Sequence, residues 1–304
     1  MPNKDHYIPE LLIKSFAMNP DSKNHKKVYV LNKRTKTIED KGKEISDICF
    51  VHNFNTPAQD KRLRRLENKF DLSLQKYLNN EHDECDIMNL KYFACLLLCG
   101  TPNFRKILIT TITEHIDNVY GLPIGTVKVM NDVKGKFDWT ENCAKALFRE
   151  IEGWEGLSFV IDKPVFISSN SPVVVNNREN GHFQINMTSL KKSENIVEQE
   201  EQDTILSFGI TFEVANVDLQ TDPWIHFPVS PNHLLVFALN KDTISEIRSD
   251  FDSVKSEYDS PRKENLIRDI NTFTLAHSED YAISSKRELL EMVKPLINFA
   301  PEIL

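Results

Sequence analysis

The chain has 304 residues, with only 9 glycines, 5 cysteines and a formal net charge of −8. Glycine therefore makes up about 3% of the chain, less than half the usual ~7%, and no two glycines are separated by a single residue. That excludes the Gly-x-Gly fingerprint of dinucleotide binding and the Gly-x-x-x-x-Gly-Lys phosphate loop, both of which need a bare backbone against the ligand.

In chain order, residues 9–17 read as a short helix with Pro9 in its first turn, where a missing N–H costs nothing. Residues 27–32 and 36–39 read as a hairpin across a polar Lys-Arg turn. Helical patterning covers 60–78 and 86–99, is broken by Gly100-Thr101-Pro102, and resumes over about 103–120. A further helix near 141–152 closes this half. The second half is different in kind, with short β-rich runs at 157–161, 165–168, 173–175 and 183–186. Residues 191–203 are charged and read as an exposed loop. Strands resume at 205–214 and 233–239, residues 227–231 read as a rigid turn before the last of these, and helical patterning returns from about 261. The expected fold class is therefore α+β: a helical first half packed on a mainly antiparallel β second half, with C-terminal helices. The whole of 1–304 reads as a single domain, α-rich over 1–152, β-rich over 153–240 and helical over 241–304.

The net charge conceals an asymmetry. Nineteen basic against 14 acidic residues give +5 over residues 1–110, while 18 against 31 give −13 over the remainder. A basic half suits nucleic acid or another anionic partner. The longest apolar run, Tyr92 to Cys99, falls far short of the ~20 residues that span a bilayer, and residues 1–7 lack a signal-peptide core. The expectation is a cytoplasmic protein without a membrane partner. Cys49, Cys85, Cys95, Cys99 and Cys143 show no Cys-x-x-Cys spacing, so they read as reduced thiols and not as a metal site. No cofactor is indicated.

Two charges stand on apolar faces. At 100° per residue from Leu63, the side chains of Leu66, Phe70, Leu74, Tyr77 and Leu78 fall within about 60° of one direction, and Glu67 lies among them. In the helix after Pro102, Arg105 falls in the centre of the stripe formed by Leu108, Ile109, Ile112, Ile116 and Val119. A carboxylate or guanidinium on such a face needs a partner. The pair is either a structural ion pair between helices or a polar pocket in which Arg105 holds an anion and Glu67 acts as a base or metal ligand. His6, just before the first helix, is a candidate general base or ligand, or a side chain hydrogen-bonded near the helix start. Ser169 and Asn170, at a strand end, either turn the chain or bind a ligand. Asn271, within a helix, is either a polar core residue or a ligand contact.

These segments coincide with a resemblance. His6-Tyr7-Ile8-Pro9 with Phe16-Ala17, the Glu67 helix, Thr101-Pro102 with Arg105, Ile167 to Val173, Pro228-Val229-Ser230-Pro231 and Ile270-Asn271 together resemble the bacterial domain of unknown function 4238 family, in order over nearly the whole chain. The family's strand-end motif usually reads Ser-Asp-Asn-Pro, whereas this chain has Ser169-Asn170-Ser171-Pro172; Gly100 also stands where relatives tend to carry Arg. The resemblance implies a single soluble domain with no assigned reaction, and it draws attention to His6, Glu67, Arg105 and Asn271. The functional expectation is a hydrolase acting on nucleic acid or another anionic substrate, with His6 and Glu67 catalytic and Arg105, Ser169, Asn170 and Asn271 binding ligand. The alternative is a non-catalytic binding protein, or a host-defence or toxin effector, in which the same residues form a structural polar core.

Overall fold

The computed structural model describes residues 4–22, 25–52, 57–104, 106, 139–176, 184–193, 209–218, 223–256 and 261–298. The fold is α+β with antiparallel sheets. Helices α1 (Glu10–Ser15), α2 (Pro57–Leu78), α3 (Glu84–Gly100) and α4 (Trp139–Ile151) precede the four-stranded central sheet, and α5 (Lys241–Ser256), α6 (Pro261–Ala276) and α7 (Arg287–Val293) follow it. Asp83 starts α3 with a reciprocal capping box, accepting from the Asp86 N–H while the Asp86 carboxylate accepts from its own, which satisfies two donors that a helix start leaves open.

Four antiparallel strands, in the order β6 (Glu155–Val160), β12 (His233–Ala238), β11 (Trp224–Pro228) and β8 (Val174–Asn176), form the central sheet. Side chains alternate across it. Val175, Ile225, Phe227, Leu235 and Phe237 pack into one hydrophobic cluster with α2, α3 and α4. Leu157, Phe159, Leu234, Val236 and Ala238 pack on the opposite face with Ile244 and Ile247 of α5 and Ile270 of α6. With both faces covered, β12 has no solvent side, which is why its sequence is apolar almost without interruption.

A second sheet takes the order β3 (Thr37–Ile38), β2 (Lys27–Asn32), β13 (Tyr281–Ser284), β7 (Ser168–Ser169), with β4 (Lys43–Glu44) also on β2. Leu31, Ile38, Ile167 and Ala282 bury one of its faces against Leu275 of α6 and Leu290 and Val293 of α7. Two further ribbons pair β1 (Lys4–His6) with β5 (Phe50–His52), and β9 (Gln184–Ser193) with β10 (Gly209–Asp218). Among the described residues no helix is long and apolar enough to cross a membrane.

The elements depart from the sequence reading in several places. β9 runs on through Lys191-Lys192-Ser193, paired with β10, where an exposed loop was expected. Residues 224–228 form a strand where a turn was expected at 227, because Pro228 is its last residue, Trp224 to His226 pair on both sides and Phe227 pairs with β12. Residues 281–284 form a strand inside a stretch read as helical, built by pairing with β2 and β7. The helix expected near 103–120 is described only at 102–104 and 106.

Gly42 is one position where glycine is required. Its φ of +64° is left-handed, and a Cβ there would lie 2.8 Å from the Val28 carbonyl oxygen and 2.9 Å from Met18 Sδ. Gly42→Ala is expected to lower the unfolding free energy by roughly 1–3 kcal/mol, read from the urea midpoint, since backbone strain and a contact with an immobile carbonyl act together.

Candidate functional site

His6 ends β1 and Tyr7 follows it, yet their side chains find different neighbours. His6 is half-buried, with Nε2 3.9 Å from the Glu10 carboxylate and its ring 6.0 Å from that of Phe50. Tyr7 places its hydroxyl 3.3 Å from that of Tyr281 on β13. Cys49 ties the two together: its carbonyl accepts the Tyr7 N–H at 3.0 Å, and its own N–H donates to the Tyr281 hydroxyl at 2.6 Å. Cys49 has φ +55°, uncommon for a residue with a Cβ, and these two bonds hold that turn from either side.

Asn170 enters from the end of β7 and is fully buried. Its N–H donates to the Tyr281 carbonyl at 3.2 Å, and its Oδ1 accepts the N–H groups of Glu279 at 3.0 Å and Asp280 at 3.4 Å. Two backbone donors on one end of the amide fix which end is oxygen. The other end, Nδ2, interacts with Tyr7 without completing a hydrogen bond and has no hydrogen-bond partner. A buried donor left so costs ~1–3 kcal/mol.

Glu279 extends the cluster to the helix that starts at Pro102. Its Oε1 accepts the Asn103 N–H at 3.1 Å, while Thr101 Oγ1 accepts that of Phe104 at 3.2 Å. Burial raises the Glu279 carboxyl above its ordinary value and the charge of Asp280 adds to this, while the Asn103 amide and Thr101 hydroxyl pull it back. Burial also raises both phenols, so Tyr7 and Tyr281 remain protonated donors near neutral pH. The Cys49 thiol is pushed up to about 12 by burial, so it supplies no thiolate nucleophile.

Four chain segments, distant in sequence, therefore meet at one point: Tyr7 after β1, the Thr101-Pro102 helix start, Asn170 at the strand end, and Glu279 to Tyr281. A family model described as protein of unknown function (DUF4238) matches residues 4–288, nearly the whole chain. The chain belongs to this family. All of the cluster lies within the DUF4238 match. No curated protein and no solved structure matches the chain.

Of the residues singled out by sequence, Asn170 is the one at the centre of this DUF4238 cluster, and His6 adjoins it through Tyr7. Ser169 is fully buried, and its hydroxyl accepts the Ser171 N–H at 3.0 Å and donates to the Ser171 carbonyl at 2.7 Å. It shapes the turn that presents Asn170. Asn271 has both ends of its amide committed to the backbone, accepting from Ile167 N–H at 3.1 Å and donating to the Val165 carbonyl at 2.8 Å. It fixes α6 to the chain leading into β7. Glu67 is half-buried where a core-facing carboxylate was expected, because the buried stripe of α2 is established from Phe70 onward. Arg105 lies outside the described residues. Among the described residues the buried charges include Asp5, Asp86, held by Ser73 at 2.8 Å and Lys76 at 3.1 Å, Glu141, paired with Arg62 at 2.5 Å and Lys145 at 2.8 Å, and Lys91. Sequence reasoning missed Tyr7, Cys49, Glu279 and Tyr281. Tyr7 had a visible signal inside His6-Tyr7-Ile8-Pro9; Glu279 and Tyr281 had none, since their segment read as helix.

Proposed function

We propose that the chain is a hydrolase of an anionic substrate whose site is the Tyr7–Asn170–Glu279–Tyr281 cluster. The observation that supports this reading is Glu279, a half-buried carboxyl raised above its ordinary value and held at a helix start beside two protonated phenols. Perturbed carboxyls among polar donors are the usual equipment for moving a proton. Glu279 would take the proton from an attacking water or give one to the leaving oxygen, while the phenols and Asn170 hold the substrate. The charge of +5 over residues 1–110 favours approach of an anion, nucleic acid included. Glu67 is assigned no step.

The test is turnover of four probes: single-stranded DNA, RNA, p-nitrophenyl phosphate and bis(p-nitrophenyl) phosphate. Turnover of at least one is expected, falling ~100-fold or more in Glu279→Gln with little change in thermal midpoint. No turnover of any of the four, or turnover undiminished in the variant, overturns the reading.

A second reading is a non-catalytic protein in which the cluster is a structural core. It is favoured by the bonds that Tyr281 and Glu279 already make to the backbone N–H groups of Cys49 and Asn103. On either reading Tyr281→Phe should cost ~1–3 kcal/mol in chemical denaturation, because the Cys49 N–H loses its acceptor; on the second, this is its only effect.

A further inference from the structure

We propose that the buried Nδ2 of Asn170 is the recognition donor of this site, and that its partner is an oxygen of a carboxylate or phosphate group. The inference takes its location from the reading above, but not its reaction. Asn170 is fully buried, and its orientation is set by the Glu279 and Asp280 N–H groups on its oxygen, so Nδ2 cannot rotate away to find solvent. Buried donors are nearly always partnered, and this one is not. The Tyr7 hydroxyl interacts with it without completing a hydrogen bond, Cys49 offers its N–H to Tyr281, and the oxygen of Asn170 itself is occupied. The nearby acids are engaged elsewhere, Glu279 by the Asn103 N–H and Asp280 by Arg34 at 2.7 Å. An anionic oxygen is the strongest acceptor such a donor can meet.

Inorganic phosphate and acetate, titrated separately into the full chain by calorimetry, distinguish the two sources of that oxygen. At least one is expected to bind and to raise the thermal midpoint. Asn170→Asp keeps the acceptor for the Glu279 and Asp280 N–H groups but removes the donor, and should weaken binding at least tenfold. The Asn170 side-chain amide resonances of the unsubstituted protein give a readout that needs no variant, and should shift on saturation. Binding of neither anion, binding unchanged in Asn170→Asp, or amide resonances that stay put overturns the assignment. Anion binding without turnover of any of the four probes leaves it standing and removes the hydrolase reading; turnover with no anion bound does the reverse.

Discussion

Lys91→Ala is expected to lower the unfolding free energy by roughly 3–5 kcal/mol. Lys91 sits on α3 with almost no exposure, in the middle of an otherwise apolar helix. Its ammonium donates to the Glu152 carbonyl at 2.9 Å and the Trp154 carbonyl at 2.8 Å, and lies 5.4 Å from the centre of the Phe237 ring. These carbonyls follow directly on α4, whose C-terminal end carries negative partial charge. Lys91 is thus the cap of a neighbouring helix, and its position explains how α3, α4 and the central sheet are held in register. Burial lowers its pKa, so the charge is retained against a desolvation cost. Alanine removes the stem and both hydrogen bonds at once. Lys91→Met refills the volume and relieves the buried charge but leaves the two carbonyls bare, so it should recover about half of the loss. Urea denaturation of the two variants separates packing from capping. Equal and small effects, below about 1 kcal/mol, would show that the carbonyls find other donors.

Lys91 also shows why a buried charge can escape a reading of the sequence. A helical wheel ranks residues around one helix, and on that basis Glu67 and Arg105 stood out. Whether a given turn of that helix reaches the core depends on what packs beside it: α2 is buried at Phe70, Leu74 and Tyr77 but only half-buried at Glu67. Lys91 carried no signal of its own, because its partners are main-chain carbonyls 61 and 63 positions away. The same division holds for the fold. Helices α2, α3 and α4 and the β2–β3 hairpin are local structures, announced by period, proline and glycine, and were readable. β13 was not, since Tyr281 to Ser284 becomes a strand by pairing with Lys27–Asn32 at the far end of the chain.

That long-range pairing is also what builds the candidate site. β13 brings Tyr281 to Tyr7 and Cys49, and its pairing with β7 brings Asn170 to Glu279. No two of the four segments are neighbours in sequence, so each looks unremarkable alone. The shortage of glycine fits this construction, in which side chains on strand ends and a helix start, and not a bare loop, surround the unpartnered amide.

Acidification should destabilise the protein well before its carboxylates are protonated, and His226 is the cause. It is fully buried on β11, on the face covered by α6. Asn176 Nδ2 donates to its Nδ1 at 2.7 Å, and its Nε2 faces Thr274 Oγ1 at 3.1 Å, whose hydroxyl donates on to the Ile270 carbonyl at 2.9 Å. With an amide donor on Nδ1, the imidazole is neutral and carries its hydrogen on Nε2. A second proton would have to displace Asn176 in a fully buried site. Burial, with the His277 charge adding to it, holds the pKa down at about 3 against an ordinary 6.5. The folded state therefore stays unprotonated at His226 while the unfolded chain takes up a proton below 6.5. Stability is unaffected above that value and falls as the pH drops below it, by up to ~1.4 kcal/mol per unit. Between pH 6.5 and 4.5 the loss should reach about 2–3 kcal/mol from this residue. His233, also lowered by burial, contributes in the same direction, whereas Asp86, whose pKa is lowered, acts only below this window. Urea midpoints at pH 7.5 and 4.5 measure the slope in the parent protein and in His226→Gln. The variant is expected to be less stable at pH 7.5, where the bonds to Asn176 and Thr274 are weakened, and much flatter with pH, with His233 acting in the same direction and the raised Glu279 carboxyl in the opposite one. A slope as steep in His226→Gln as in the parent would remove His226 as the origin and place it on the other histidines.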